Sequence, residues 1–169
     1  GNNDPEDDFG HGTEIAGVLG AAGNNLAGIS GVLWRTQMLP VKVLDQAGLG
    51  SGTAVAAGIH YAIDAGARVL NMSLSYETPS TPIFEALVYA RDHGVIAVVA
   101  AGNNSQDLDV TPAFPASYDL DNIVAVAAST RPGGLRPSSN HGSRVLIAAP
   151  GEGILTTTRG GGYFADAGT

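Results

Sequence analysis

The chain has 169 residues, is 44% hydrophobic and only 14% charged, and carries a net charge of −8; a sequence this apolar and weakly charged collapses, so disorder is excluded. Lys42 is the single lysine and the arginines are scattered, which leaves no basic stripe for phosphates, so nucleic acid is not an expected partner. With no cysteine there is no disulfide, thiol nucleophile or thiolate zinc site, and apolar runs such as Val95–Ala101 are too short to span a bilayer.

Gly1–Gly10 is polar and Asp-rich and reads as a loop. From His11 to Ala22 the apolar spacing (Ile15, Val18, Leu19, Ala22) predicts a helix, with Gly17 and Gly20 allowing a neighbour to approach closely. After a turn region at Gly23–Gly31, Gln37–Leu44 reads as a buried strand. Ser51–Ala65 reads as a helix stopped by Gly66. A second apolar run, Ala67–Leu74, follows. Pro79–His93 is the next predicted helix, closed by Gly94, with His93 placed to favour the helix dipole.

Val95–Ala101, Ile123–Ala128 and Val145–Ala149 are continuous runs of β-branched residues and alanine. Such runs suit parallel strands covered on both faces. Two strand–helix–strand units in sequence make the expected fold α/β, a three-layer parallel sheet flanked by helices. Ile154–Thr158 and Tyr163–Ala167, joined by Gly160-Gly161-Gly162, predict a terminal hairpin. No repeat, linker or second domain is visible.

In open parallel sheets, sites form beyond the carboxyl ends of the strands. Three polar or glycine-rich strand ends qualify: Asn71-Met72-Ser73-Leu74-Ser75, Gly102-Asn103-Asn104 and Pro150-Gly151. His11, at the head of an apolar helix, is the natural companion. Any one of these residues taken alone reads as a turn or cap.

Together they carry more. Gly10-His11-Gly12-Thr13-Glu14-Ile15-Ala16-Gly17 resembles the histidine motif of the subtilisin-like serine proteases. Val41-Lys42-Val43-Leu44, Asn71-Met72-Ser73-Leu74, Ala100-Ala101-Gly102-Asn103, Phe114-Pro115-Ala116, Ser139-Asn140-His141-Gly142 and Ala148-Ala149-Pro150-Gly151 follow in that family's order. The chain ends at Gly168-Thr169, where the family's Gly-Thr-Ser motif places the nucleophile at the next residue. The resemblance therefore implies the central part of one catalytic domain over residues 1–169, incomplete at both ends, with the triad Asp before Gly1 and the Ser after Thr169.

Carried over residue by residue, the resemblance makes His11 the general base and Asn103 the side-chain donor to the oxyanion. Leu44 and Gly48-Leu49-Gly50 on one side, and Ser73-Leu74-Ser75 on the other, would flank an extended polypeptide substrate by strand addition. Ala100, Ala101 and Gly102 would wall the pocket for the residue before the cut, with Ala113 at its base. Two positions depart from the family: Ser75 stands where glycine is usual, and Glu14 where histidine is common. Asp7 and Asp8 read as charges on the cleft rim, with a mild preference for basic residues further upstream in the substrate.

Asn2, Asp4 and Glu6 alternate oxygen-bearing side chains in a loop, a spacing that can wrap a hard cation. Relatives bind calcium there, and the Gly23–Ile29 segment, with Asn25, resembles the family's other calcium loop. His60 reads as structural, and His141 as packing where relatives often have an aromatic ring. The resemblance also implies secretion and a propeptide. Two rival readings exist. A nucleotide-binding domain needs a complete glycine-rich phosphate loop, and Gly48-Leu49-Gly50-Ser51-Gly52 lacks its last glycine. A non-catalytic, peptide-binding relative would keep the fold while having lost its unseen triad positions.

Overall fold

The structure, a computed structural model, describes residues 5–169. The chain divides into two units, Gly1–Ser51 with Gly153–Asp166, and Gly52–Glu152 with Ala167–Thr169.

In the first unit, helix α1 spans His11–Gly20 and lies against a two-stranded antiparallel ribbon, β5 (Ile154–Thr157) and β6 (Tyr163–Asp166). Gly17 makes that contact possible, because a Cβ there would stand 2.3 Å from the Thr157 hydroxyl and 2.7 Å from that of Thr156. The two threonines use the proximity: Thr156 Oγ1 donates to the Glu14 carbonyl at 2.5 Å and Thr157 Oγ1 to the Thr13 carbonyl at 2.7 Å. The backbone amides of Val32 and Leu33 donate to Val18 and Leu19, which extends the pairing of otherwise orphaned carbonyls at the helix end.

The predicted strand Gln37–Leu44 does not form; these residues have no regular secondary structure, and Met38 and Leu39 are exposed. A strand needs a partner to take its backbone groups, and no described strand pairs with this segment. Apolar character alone was a poor guide here.

The second unit is a parallel sheet in the order β1-β2-β3-β4, built from Val69–Met72, Ile96–Ala100, Ile123–Ser129 and Val145–Pro150. Helix α2 (Gly52–Asp64) packs on α3 (Thr81–Asp92), and α3 on β2. Helix α3 forms because Pro82 pre-sets its first turn and Ile83, Ala86, Leu87 and Ala90 fall on one stripe. Both helices stop at glycines of positive φ, Gly66 at 92° and Gly94 at 69°, and the following amides of Ala67 and Val95 reach back to Ala62 and Ala90.

Helix against sheet, the core is made of small side chains: Ala86, Ala90, Ala97 and Ala125 are completely buried beside Leu87 and Ile83. Burial is one-sided along β1 and β2, where Leu70, Met72, Ala97 and Val99 are buried while Val69 and Ile96 are exposed. β4 is more open still, with Leu146 and Ile147 exposed, whereas β3 has no exposed residue, so cover on both faces is met by β3 and not by β1, β2 or β4. Among the described residues, only β1-α3-β2 closes a strand–helix–strand unit; β2 to β3 and β3 to β4 are joined by irregular chain.

Candidate active site

His11 opens α1 directly after Gly10, whose φ of 119° and ψ of −33° bar any side chain with a Cβ. Gly10 therefore has no side chain to cap the helix. Asp7 supplies the cap instead. Its Oδ1 accepts from the amides of Gly10 (2.7 Å) and Phe9 (3.1 Å). Its Oδ2 accepts from the amide and the hydroxyl of Thr13, both at 2.7 Å. Burial pushes the Asp7 carboxyl up, but the hydrogen bonds from the Thr13 hydroxyl and from the Gly10, Thr13 and Phe9 amides prevail and hold it at about 2.

This corrects the rim-charge reading of Asp7. Its charge faces the loop that delivers His11. Asp8 is also engaged, with Lys42 Nζ at 2.5 Å from its carboxylate and Arg159 donating to its carbonyl. Neither acid is a spare charge for a basic substrate residue, which removes the ground for an upstream basic preference.

Since the folded value of Asp7 lies below its unfolded value of 3.8, its contribution is complete above that value and is lost as pH falls toward about 2. Asp7→Ala is expected to lower the stability of the complete protein at pH 7 by about 0.5–2 kcal/mol, the worth of a helix cap. Urea midpoints of both proteins, measured from pH 7 downward, should converge as the pH drops below 3.8. A gap that stays constant to pH 2.5 would exclude the carboxylate as its source.

The His11 ring is partly exposed, and its Nδ1 lies 3.8 Å from Glu14 Oε2, one helical turn on. That separation is too long for a hydrogen bond but close enough for an ion pair with a protonated ring. The Glu14 substitution thus bears on the ring itself. His60 packs against Tyr89, the ring centroids 4.6 Å apart and the planes tilted by 55°. His93 Nδ1 lies 2.8 Å from the Tyr89 carbonyl at the end of α3. His141, expected to pack, has an exposed side chain, and it is the backbone that pairs, its carbonyl accepting from Leu108.

In the same unit as His11, residues 45–49 close a tight turn. Asp45 Oδ1 accepts from the amides of Ala47 (2.8 Å) and Leu49 (3.0 Å), and Asp45 N donates to the Leu49 carbonyl. Hydrogen bonds from Leu49 and then Ala47 lower the Asp45 carboxyl accordingly. The Leu49 amide is therefore committed to Asp45 and cannot pair with a substrate strand, although its side chain is exposed. Gly48 holds a φ of 72°, and a Cβ on Gly50 would stand 2.4 Å from the Val43 carbonyl, so the two glycines are required by the turn. Leu44 is half-buried beside Gly50.

The second unit assembles the other predicted residues at the carboxyl ends of β1 and β2. Ala101 and Gly102 are buried, Ala100 is half-buried and Asn103 stands exposed. Ser73 and Leu74 follow β1, and Asn71 Nδ2 donates to Ser73 Oγ at 3.0 Å. Ser75 is not among the residues of positive φ, so serine fits where the family has glycine. Tyr76 and Phe114 exchange backbone hydrogen bonds at 2.7 and 2.8 Å, which lays buried Ala113 alongside the Ser75 segment.

Thr169 meets the Asn103 loop. Its amide donates to Asn103 Oδ1 at 3.1 Å, and its hydroxyl accepts from the Gly102 amide at 3.2 Å. The oxygen of the Asn103 amide is thereby fixed, and the Nδ2 donor is the end left for another acceptor. Sequence reading missed the part of Thr169, and of Asp7; the second had a signal in an Asp three residues before a helix-opening glycine.

Among the described residues no three His, Cys, Asp or Glu side chains form a metal-binding group. Asn2 and Asp4 lie outside the described residues, and Glu6 is exposed. Asn25 Oδ1 accepts from the Ala27 amide at 3.1 Å, shaping its own turn and keeping a second lone pair toward solvent. No described helix is long and apolar enough to cross a membrane.

The chain is 39% identical over 165 residues to thermitase of Thermoactinomyces vulgaris, and 40% identical over 166 residues to a thermophilic serine proteinase of Bacillus sp. (strain AK1). These matches cover 98% of this chain but 57% and 40% of the respective relatives, so the chain spans about half of their length. A crystal structure of a cold adapted subtilisin-like serine proteinase superposes with a TM-score of 0.86 at 31% identity, over 99% of this chain and 58% of that one. The subtilase family profile matches residues 1–168. The α/β fold is thus shared with that structure, and the chain belongs to the subtilase family.

Proposed function

We propose that residues 1–169 are the central part of one catalytic domain and that the complete, secreted protein is a serine endopeptidase. His11 takes the proton of a serine one residue beyond Thr169 and returns it to the leaving amine. An aspartate preceding Gly1 orients the imidazole. Asn103 Nδ2 donates to the oxygen that becomes negative in the tetrahedral intermediate, a neutral donor acting where charge develops. The observation that supports the reading is the contact of Thr169 with Asn103 and Gly102, since a serine directly following Thr169 would then lie close to the oxyanion donor. Without the serine and the aspartate, the 169-residue chain alone has no triad chemistry.

The walls Ala100, Ala101 and Gly102 and the base Ala113 carry small side chains, and Asn104 is neutral. Large apolar residues such as Phe, Leu or Tyr are therefore favoured before the cut. One methylene more or less is worth only ~1–3 kcal/mol, which makes the preference broad. Profiling the complete enzyme on a peptide library tests this. Dominant cleavage after Arg, Lys or Glu would overturn the assignment of the pocket.

Calcium is proposed as a structural ion, on the alternation of Asn2, Asp4 and Glu6 and on the Asn25 turn. Clustered oxygen ligands of like charge repel until a cation neutralises them. Excess chelator is expected to lower the melting temperature of the complete protein, and added calcium to restore it. An unchanged melting curve would remove both loops.

A further inference from the structure

Asn103 is exposed and sits on a loop, yet an oxyanion donor is useful only if held to within a fraction of an ångström. Something must fix the loop. Thr169 holds the Asn103 side chain and the Gly102 amide, but does not hold the loop beyond Asn103.

Asn140 does. Its side chain is 1% exposed and reaches under residues 101–106 from the loop between β3 and β4. Its Oδ1 accepts from the amides of Asn104 (2.9 Å) and Gln106 (3.0 Å), and its Nδ2 donates to the Ala101 carbonyl at 2.9 Å. Its own amide donates to the Gly102 carbonyl at 2.8 Å. The two residues flanking Asn103, and one further out on each side, are all tied to one buried residue.

The fit depends on a carboxamide. An aspartate would bury a charge and lose the donor to Ala101; a leucine of similar size would leave two amides and a carbonyl without partners. Gly102 completes the arrangement, with a φ of 104° and room only for the Asn140 amide, since a Cβ there would stand 2.5 Å from Nδ2. Asn140 is in turn anchored to β3 through buried Ser139, whose hydroxyl accepts from the Ala128 amide at 3.0 Å and donates to the Asn140 carbonyl at 3.0 Å.

We propose that Asn140 is the positioning residue of the oxyanion hole, setting the backbone from which Asn103 donates. The inference rests on the reading of Asn103 given above. In the complete protein, Asn140→Leu is expected to lower kcat by about 10–100-fold with KM within about threefold, the scale of a misplaced catalytic group. The same change made in an Asn103→Ala background should alter kcat by less than about threefold, because the group it aims is gone. Amide exchange at Asn104 and Gln106 should quicken in the Asn140 variant.

Should Asn140→Leu fail to fold, Asn140→Ala leaves room for water to take up the freed amides and carbonyl. It is expected to show a smaller fall in kcat with the same dependence on Asn103. Equal losses in the two backgrounds, or full kcat alongside quickened exchange, would overturn the positioning role. An Asn103→Ala enzyme with unchanged kcat would instead overturn the oxyanion reading, whatever Asn140 does to the exchange of the loop.

Discussion

Replacing His11 by alanine in the complete protein is expected to lower kcat by several orders of magnitude, up to ~10⁶-fold, with little change in KM. Alanine cannot accept the serine proton, so the nucleophile attacks as a neutral hydroxyl and the leaving amine departs without a donor. Substrate binding does not use the imidazole and should survive. Loss of the ring also leaves the helix intact, because the Asp7 carboxylate and the threonines of β5 hold its first turn through backbone groups. Melting temperature measured beside kcat separates the two. A variant that melts like the parent and retains a tenth of its kcat would remove His11 from the mechanism.

Asn103→Ala is expected to cost ~10²–10³ in kcat, or roughly 2.7–4 kcal/mol, again with KM nearly constant. The ground-state carbonyl needs the donor little, whereas the tetrahedral oxyanion needs it greatly. Because the Asn103 oxygen accepts from the Thr169 amide, the substitution also leaves that amide without its partner. Asn103→Asp keeps this acceptor but replaces the donor with a negative charge, and it should be worse than alanine. A kcat within threefold of the parent for Asn103→Ala would end the oxyanion assignment.

Much of this was legible in the residues. The helices at His11, Gly52 and Thr81 appear within a residue or two of where spacing and stop glycines set them, as do the four strands of the sheet. Those signals are local. Gln37–Leu44 misled because an apolar run states that a segment prefers burial, not that a strand lies beside it. The one-sided exposure of Val69 and Ile96 misled similarly, since run composition carries no information about which face is covered.

At the site, short motifs located His11 and Asn103 because each lies where an element begins or ends. They did not reveal what holds either residue. Asp7 reads in sequence as one of several acids, and Asn140 as one of many polar loop residues. Their roles arise from hydrogen bonds to backbone groups, which any sequence offers alike. The Asn140 link spans 34 to 39 residues, beyond the reach of any periodicity.

The seam between α1 and β5 has a bearing on when this protein acquires its chemistry. The threonine hydroxyls that seat the first turn of α1 lie 142 and 144 residues downstream of the carbonyls they meet. During synthesis from the amino terminus, the histidine helix emerges 142 to 144 residues before the hydroxyls that support it. Contacts so distant in sequence close late, since the entropy of the intervening loop must be overcome first. A nascent chain therefore carries its imidazole on a helix held by the local Asp7 cap alone, and the threonine seat is added only when the hairpin at Ile154–Asp166 docks.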